Sequence, residues 1–117
     1  MGFTLIEMLV VLAIVALIAS LEFPAIERAF GRERFRTASA SVESRLHAAR
    51  AAAIGQARVT RFDAGELPQG VALDAPRAGI VFYPDGSANG GELALTEGPR
   101  RFRLAVDGAT GRIARLP

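Results

Sequence analysis

The 117-residue sequence contains no cysteine, no tryptophan and no lysine, and it has a single histidine, His47. Without cysteine there is no disulfide framework, no thiolate zinc site and no cysteine nucleophile, and one histidine cannot supply a histidine-based metal cluster. These absences disfavour most catalytic classes, and we expect a protein that is not an enzyme and holds no cofactor or metal. The length allows one domain and little more.

Charged side chains are distributed unevenly along the chain. Residues 1–20 carry only Glu7, residues 21–61 carry eight arginines against four glutamates, and residues 62–117 carry six arginines against seven acids. Because glutamates are interspersed among the arginines of the run Arg28–Arg36, we interpret it as a solvated charged helix face with some lipid contact, in preference to a nucleic-acid site. His47 has no second histidine and no acid at ligand spacing, so we expect an exposed helix residue.

The chain opens with a long apolar run. Between Phe3 and Phe23 the only polar side chains are Thr4, Glu7, Ser20 and Glu22. A helix of this length spans about 30 Å and can cross a membrane. A secretory signal peptide is the alternative, but no basic segment precedes the run and no clean A-x-A site follows it. A carboxylate inside such a helix costs roughly 2–4 kcal/mol unless it reaches the interface or finds a cation, so Glu7 calls for a partner.

The sequence Gly2-Phe3-Thr4-Leu5-Ile6-Glu7, followed by the apolar stretch Met8–Ile14, resembles the N-terminus of type IV pilins and of the pseudopilins of type II secretion. The resemblance implies that a prepilin peptidase cleaves after Gly2 and that the new N-terminal residue, Phe3, is N-methylated. It also implies that Glu7 acts in subunit assembly, where it pairs with the N-terminal ammonium of a neighbouring subunit. Neither charge could be left alone in an apolar filament core.

Pro24 follows the apolar run. A proline inside a helix lacks an N–H and leaves the carbonyl of Ser20 unpaired, which predicts a kink at Pro24. Filaments of the resembled family are melted or kinked near this point. The alternative is that Pro24 ends the membrane segment and begins a new helix at its first turn.

The segment from Glu27 to Ala53 is predicted to form one amphipathic helix, with Gly55 as its C-terminal cap. Its apolar residues recur at steps of three and four and form one stripe. This stripe consists of Phe35, Ala38, Val42, Leu46, Ala49 and Ala53.

After Gly55 short alternating runs separated by turn residues predict antiparallel strands. The candidates are Ala57–Phe62, Val71–Asp74, Gly79–Tyr83, Glu92–Thr96, Arg101–Val106 and Arg112–Leu116. We therefore expect an α+β fold in which a long N-terminal helix packs its stripe on a small antiparallel sheet. Such a small sheet is marginal alone, so we expect the helix to be essential to its stability.

Turn residues are predicted to connect the strands. Pro84–Ser87, Asn89–Gly91 and Asp107–Gly111 have the glycine, asparagine and aspartate content of tight turns. Asp85, Ser87 and Asn89 at alternate positions also suggest a calcium loop. We disfavour that alternative because the order of ligands and the closing glutamate do not fit.

The stretch Gly79–Leu95, with Thr110-Gly111-Arg112 near the end, resembles the C-terminal domain of the GspH/FimT group of pilin-like proteins. The resemblance implies a minor pseudopilin of GspH type in the type II secretion system, which helps to export folded proteins across the outer membrane. The implied location is the bacterial inner membrane, single-pass, with the C-terminal domain in the periplasm. The implied partners are other minor and major pseudopilins, the prepilin peptidase and the inner-membrane assembly platform.

The resemblance also divides the chain into four parts. Residues 1–2 are a leader remnant with the peptidase site, 3–24 the transmembrane and filament-core helix, 25–55 the periplasmic stalk helix and 56–117 the small β domain.

Two alternatives are kept. The first is a FimT/FimU-like minor type IV pilin in pilus assembly or DNA uptake, for which the C-terminal arginines would bind phosphates. These are Arg100, Arg101, Arg103, Arg112 and Arg115. Because Glu92, Glu97 and Asp107 offset them, we favour the absence of a nucleic-acid partner. The second is an anchored periplasmic enzyme or binding domain, which no catalytic or phosphate-binding motif supports.

Overall fold

The computed structural model describes residues 2–117, except for the side chains of residues 22–25. It has one helix, α1, followed by six strands, so the α+β class expected from the sequence is confirmed. The elements are α1 (Leu5–Gly55), β1 (Thr60–Arg61), β2 (Ala72–Asp74), β3 (Val81–Phe82), β4 (Gly91–Glu97), β5 (Arg100–Val106) and β6 (Ile113–Leu116). The chain divides into two compact units, Met1–Glu33 and Arg34–Pro117. The four-part division implied by the resemblance stays a prediction.

The C-terminal end of α1 differs from the prediction in one residue's role. Gly55 is the last helical residue, but the left-handed conformation belongs to Ala57, with a φ of 52°. The N–H of Arg58 donates to the carbonyl of Ala53 at 3.2 Å, which is the long-range bond of a Schellman motif. The prediction that Gly55 is the C-terminal cap of α1 is therefore wrong, because Ala57, two residues later, adopts the left-handed conformation.

The strands of the second unit form two antiparallel sheets. The larger sheet has the order β2-β4-β5-β6, and β1 pairs only with β3. In the larger sheet Leu93 lies opposite Leu104, and Val106 lies opposite Ile113. The β4–β5 hairpin turns through Gly98 and Pro99, and Gly98 has a φ of 57°, as a type II′ turn requires at its first central position.

The core of the second unit lies between the helix and the sheets. All the stripe residues predicted from the sequence are buried, and Val42, Leu46 and Ala53 have no exposed surface at all. From the strands and their connections come apolar side chains that complete the same cluster. They are Val71, Ile80, Phe82, Ala88, Leu93, Leu95, Leu104 and Val106. The predicted packing of the stripe on the sheet is confirmed.

An observed strand overlaps every candidate. β4 and β5 are longer than predicted, by two residues and one residue, and β2 and β6 are each one residue shorter. The first and third strands are reduced to two residues each. β1 is reduced to Thr60–Arg61 because the chain leaves the helix through the left-handed Ala57. β3 is reduced to Val81–Phe82, and beyond it the backbone forms a turn in which the N–H of Tyr83 donates to the carbonyl of Ser87 at 2.8 Å.

Candidate functional site

The N-terminal segment begins with a short non-helical stretch and a helix cap. The N–H of Glu7 donates to the Thr4 hydroxyl oxygen at 3.1 Å, and the N–H of Met8 donates to the Thr4 carbonyl at 3.2 Å. Thr4 is thus the N-cap of α1 and satisfies one of the N–H groups that a helix leaves unpaired at its start. Thr4 is not among the functional residues predicted from the sequence. Its signal was the T-x-x-E spacing of a capping box, Thr4 to Glu7.

Gly2 and Phe3, the predicted processing site, lie ahead of the helix. The Phe3 side chain is 76% exposed. A Cβ added to Gly2 would meet no heavy atom within 4 Å, so nothing in the described chain requires a glycine there. The peptide bond between the two residues lies outside regular structure. The cleavage and methylation of this site remain predictions.

Glu7 lies in the first turn of α1, three residues beyond the cap. A carboxylate near a helix N-terminus is stabilised by the partial positive charge of the exposed N–H groups. Its side chain is exposed, and it is the only charged residue between residues 2 and 21. Within this stretch the chain itself therefore offers no cation to Glu7. Its role in subunit assembly stays a prediction.

The apolar side chains that follow are exposed throughout. From Leu5 to Leu21 every residue of α1 is exposed, and the span is long and apolar enough to cross a membrane. In water this surface would be unfavourable, at about 25 cal/mol for each Å² of apolar area. The part of α1 from Leu5 to Leu21 thus has a surface that is favoured in a bilayer or among other apolar helices. The predicted kink at Pro24 lies outside the residues whose side chains are described, and it stays a prediction.

The second unit uses charged side chains to tie the helix to the sheets. Arg50 of α1 donates from Nε to the carbonyl of Gly86 at 3.3 Å and from Nη2 to the carbonyl of Thr110 at 3.2 Å. It therefore joins the helix to the two turns that precede β4 and β6. The sequence carries no signal for these bonds, because they connect residues 36 and 60 positions apart.

The turns predicted at 84–87 and 107–111 are confirmed, whereas the turn predicted at Asn89–Gly91 is not, because these residues lead directly into β4, which begins at Gly91. The polar residues of these segments have structural partners. The Asn89 side chain accepts the N–H of Val81 and donates to the carbonyl of Gly79, each at 2.9 Å, so it substitutes for a strand neighbour. The Asp85 carboxylate accepts the Ser87 hydroxyl at 2.6 Å and the Ser87 N–H at 3.0 Å. These two bonds lower the pKa of the Asp85 carboxyl from its ordinary value, and the bond from the Ser87 hydroxyl has the larger effect.

The structure does not bring the C-terminal arginines to one face. Arg103 alternates with Phe102 on β5 and points away from the core. Arg101 lies ahead of the residues that pair with β6 and lines two hollows, one with Asp74 and Glu92 and one with Phe35 and Phe102. Arg115 lies opposite Leu104, on the face that packs against the helix. It reaches Glu43 of α1 at 2.8 Å, and this bond raises the pKa of the Arg115 guanidinium.

Acidic residues pair with several of these arginines. Glu97 accepts from Arg100 at 2.7 Å and from Arg34 at 3.4 Å. Glu92 accepts from Arg103 at 3.3 Å. Arg112 lies in the last turn, where its N–H donates to the Thr110 hydroxyl. Its side chain therefore does not project from a strand. The single basic patch that the DNA-uptake alternative requires is not formed.

The described residues contain no group of three or more His, Asp or Glu side chains arranged to hold a metal ion. His47 is exposed on α1, as predicted. It lines a shallow cleft with Arg50 and Ile113, in which no carboxylate is among the lining residues.

Comparison with known proteins supports the features described above. The prokaryotic N-terminal methylation motif matches residues 2–21. The type II secretion system protein H of Xanthomonas campestris pv. campestris is 29% identical over 140 aligned positions, covering 99% of this chain and 83% of that protein.

Two crystal structures of the type IV minor pilin FimU of Pseudomonas aeruginosa PAO1 share the fold. Their TM-scores are 0.54 and 0.57, with identities of 16% and 15%. The alignments cover 70% and 74% of this chain and 92% and 91% of the FimU chains. The chain therefore carries the N-terminal methylation motif on a pilin-like α+β fold, and the resemblance to the type IV pilin-like proteins of the GspH/FimT group is confirmed.

Proposed function

We propose that this protein is a structural minor pseudopilin of the type II secretion pseudopilus, a non-enzymatic subunit that helps to export folded proteins across the outer membrane. The observation that carries the proposal is the similarity to type II secretion system protein H, because it extends over nearly the whole chain and includes the β domain. The N-terminal methylation motif would by itself be compatible with any pilin-like protein.

The proposed assembly chemistry follows from the N-terminal segment. Cleavage after Gly2 creates an ammonium group at Phe3, and N-methylation of this amine keeps its positive charge. In the filament core this cation and the Glu7 carboxylate of a neighbouring subunit are desolvated together. An ion pair is then required, because either charge alone in an apolar medium is strongly destabilising.

The cap at Thr4 defines where these groups lie along the helix. Since α1 begins at Leu5, the Glu7 carboxylate projects from the first turn, one turn from the new N-terminus. A small axial offset between neighbouring helices then brings the ammonium of one to the carboxylate of the other. The exposed surface from Leu5 to Leu21 supplies the helix packing that surrounds the pair.

Before assembly the same apolar helix would hold the subunit in the inner membrane as a single span, with the β domain in the periplasm. The proposed partners are the other minor and major pseudopilins, the prepilin peptidase that processes Gly2 and the inner-membrane assembly platform. No nucleic-acid partner is proposed, since acids of the same compact unit pair with Arg100, Arg103 and Arg115.

A second candidate function is that of a FimU-like minor pilin in pilus assembly or DNA uptake. It is favoured by one observation, the likeness of the fold to the two FimU structures. At such low identity this likeness describes the fold, and the pseudopilin fold is of the same type.

A clean deletion of the gene in its host separates the two. Exoprotein secretion, twitching motility and DNA uptake would be measured side by side, with the wild-type gene returned on a plasmid as the control. Loss of secretion with motility and uptake intact is the expected result. Intact secretion with lost motility or uptake would contradict the proposal and assign the protein to the pilus.

A further inference from the structure

A groove lies in the second unit between α1 and the end of the larger sheet where β5 begins and β6 ends. Its volume is about 260 Å³. The helix side is formed by Phe35, Arg36 and Ala40, and the sheet side by Arg101, Phe102 and Arg115. Aromatic carbon thus forms its floor, with Phe35 buried and Phe102 half-buried, and guanidinium groups stand around it.

The arginines of this groove differ in what they bind. Arg115 is held by Glu43 at 2.8 Å and lies over the Phe102 ring, with its guanidinium carbon 5.6 Å from the ring centre. Arg36 and Arg101 are exposed, and among the described residues neither has a hydrogen bond or an ion pair. The groove is therefore lined by two arginines without an ion-pair partner, beside aromatic carbon, and Arg101 also borders a second hollow with Asp74 and Glu92.

This combination selects a particular kind of ligand. A guanidinium presents a planar fork that binds a carboxylate through two parallel hydrogen bonds. The aromatic floor favours an apolar group next to that carboxylate. A continuous polyphosphate fits less well than a segment with separate carboxylates, because the Glu43 carboxylate that holds Arg115 and the Glu97 carboxylate that holds Arg100 would repel a run of phosphates.

We propose that this groove, the arginine groove, binds an acidic and partly apolar segment of a neighbouring filament subunit. The proposal rests on the proposed function as a filament subunit and adds where the β domain contacts its neighbour. Arg36 and Arg101 bind the carboxylates of that segment, and Phe35 and Phe102 contact its apolar side chains. Arg115 is kept in place by Glu43 and positions the Phe102 ring.

The test uses the absence of cysteine from the sequence. Ala40→Cys in the full-length chain places a single thiol, at an exposed position, on the rim of the arginine groove. In the host the thiol is labelled with a benzophenone maleimide and irradiated, and the crosslinked segment is identified by mass spectrometry. The same labelled chain is prepared with Arg36→Gln and Arg101→Gln together.

A matched control removes the same charge elsewhere. Arg58 and Arg77 are exposed in the same unit and do not line the arginine groove, so Arg58→Gln with Arg77→Gln changes the net charge equally. Resistance to chymotrypsin, equal to that of the parent chain, shows that each variant is folded.

We expect a crosslink to a segment of another filament subunit that contains Asp or Glu beside apolar residues. Loss of two exposed charge pairs should lower its yield about tenfold in the Arg36/Arg101 variant, and the Arg58/Arg77 control should retain it. A crosslink to lipid, to nucleic acid or to a segment without acids would overturn the proposal, as would no crosslink or a yield that both variants leave unchanged.

The fate of the chain itself separates this proposal from the proposed function. If the chain enters the filament and the groove result is negative, the arginine groove is not the contact and the filament role stands. If the chain does not enter a filament, both proposals are wrong.

Discussion

Replacing Leu46 with alanine tests whether the β domain depends on the helix that covers it. Leu46 lies in the middle of the buried stripe and is 0% exposed. A buried Leu→Ala change loses the transfer free energy of the removed carbons and leaves a cavity, which together destabilise a protein by about 3 kcal/mol. Since a small domain has only about 5–10 kcal/mol of net stability, this is a third or more of the total.

The stability of the β domain can be measured by pulse proteolysis of the purified full-length chain in detergent and increasing urea. Trypsin cleaves after arginine, and Arg101 and Arg103 lie inside β5, where the folded sheet protects them. With a urea m-value of about 1–3 kcal/mol per molar, the midpoint should fall by about 1–3 M. His47→Ala is the matched control, because the His47 side chain is next to Leu46 in the sequence but is exposed. It should change the midpoint by less than about 0.5 M. Equal midpoints for the two variants would refute the packing of helix on sheet.

Three further predictions concern single residues. Ala57→Gly should stabilise the protein by about 0.5–1 kcal/mol, because glycine adopts the left-handed conformation without the Cβ penalty, and an unchanged urea midpoint would contradict the Schellman cap. Glu7→Ala should insert in the membrane normally but fail to enter the filament in a crosslinking assay, whereas Glu27→Ala should enter it; equal incorporation of both would defeat the proposed ion pair. The lowered pKa of Asp85 stabilises the folded state above the ordinary value of 3.8, and this contribution is lost as the pH falls through the lower folded value. Asp85→Asn should therefore reduce the fall in the urea midpoint between about pH 4.5 and pH 2.5, and identical profiles would show that the bonds to Ser87 add nothing.

The elements that the sequence predicted well are those governed by local periodicity. The stripe from Phe35 to Ala53 is buried as predicted, because a helix repeats every 3.6 residues whatever it packs against. The alternation of Leu93 and Leu95, and of Leu104 and Val106, likewise identified the inner face of the sheet. Both patterns survive in the structure because the apolar face of each element is the one that the other element covers.

The pairing of the strands could not be predicted in the same way. β1 pairs with β3, while β2 joins the larger sheet at β4, more than fifteen residues further along the chain. The register between distant strands depends on how the connecting loops close, and the alternation of apolar and polar residues within a strand does not predict it. The same reason applies to the Arg115–Glu43 ion pair, whose partners are 72 residues apart.

The interpretation of the C-terminal arginines shows what such long-range contacts change. In the sequence five arginines between residues 100 and 115 are equivalent positive charges. In the structure Glu97, Glu92 and Glu43 pair with Arg100, Arg103 and Arg115, whereas Arg101 has no such partner among the described residues and lies at a groove that α1 completes with Arg36. A count of charges therefore suggests a surface for a polyanion. The paired structure leaves two cations beside aromatic carbon, and this arrangement favours a short acidic segment of protein.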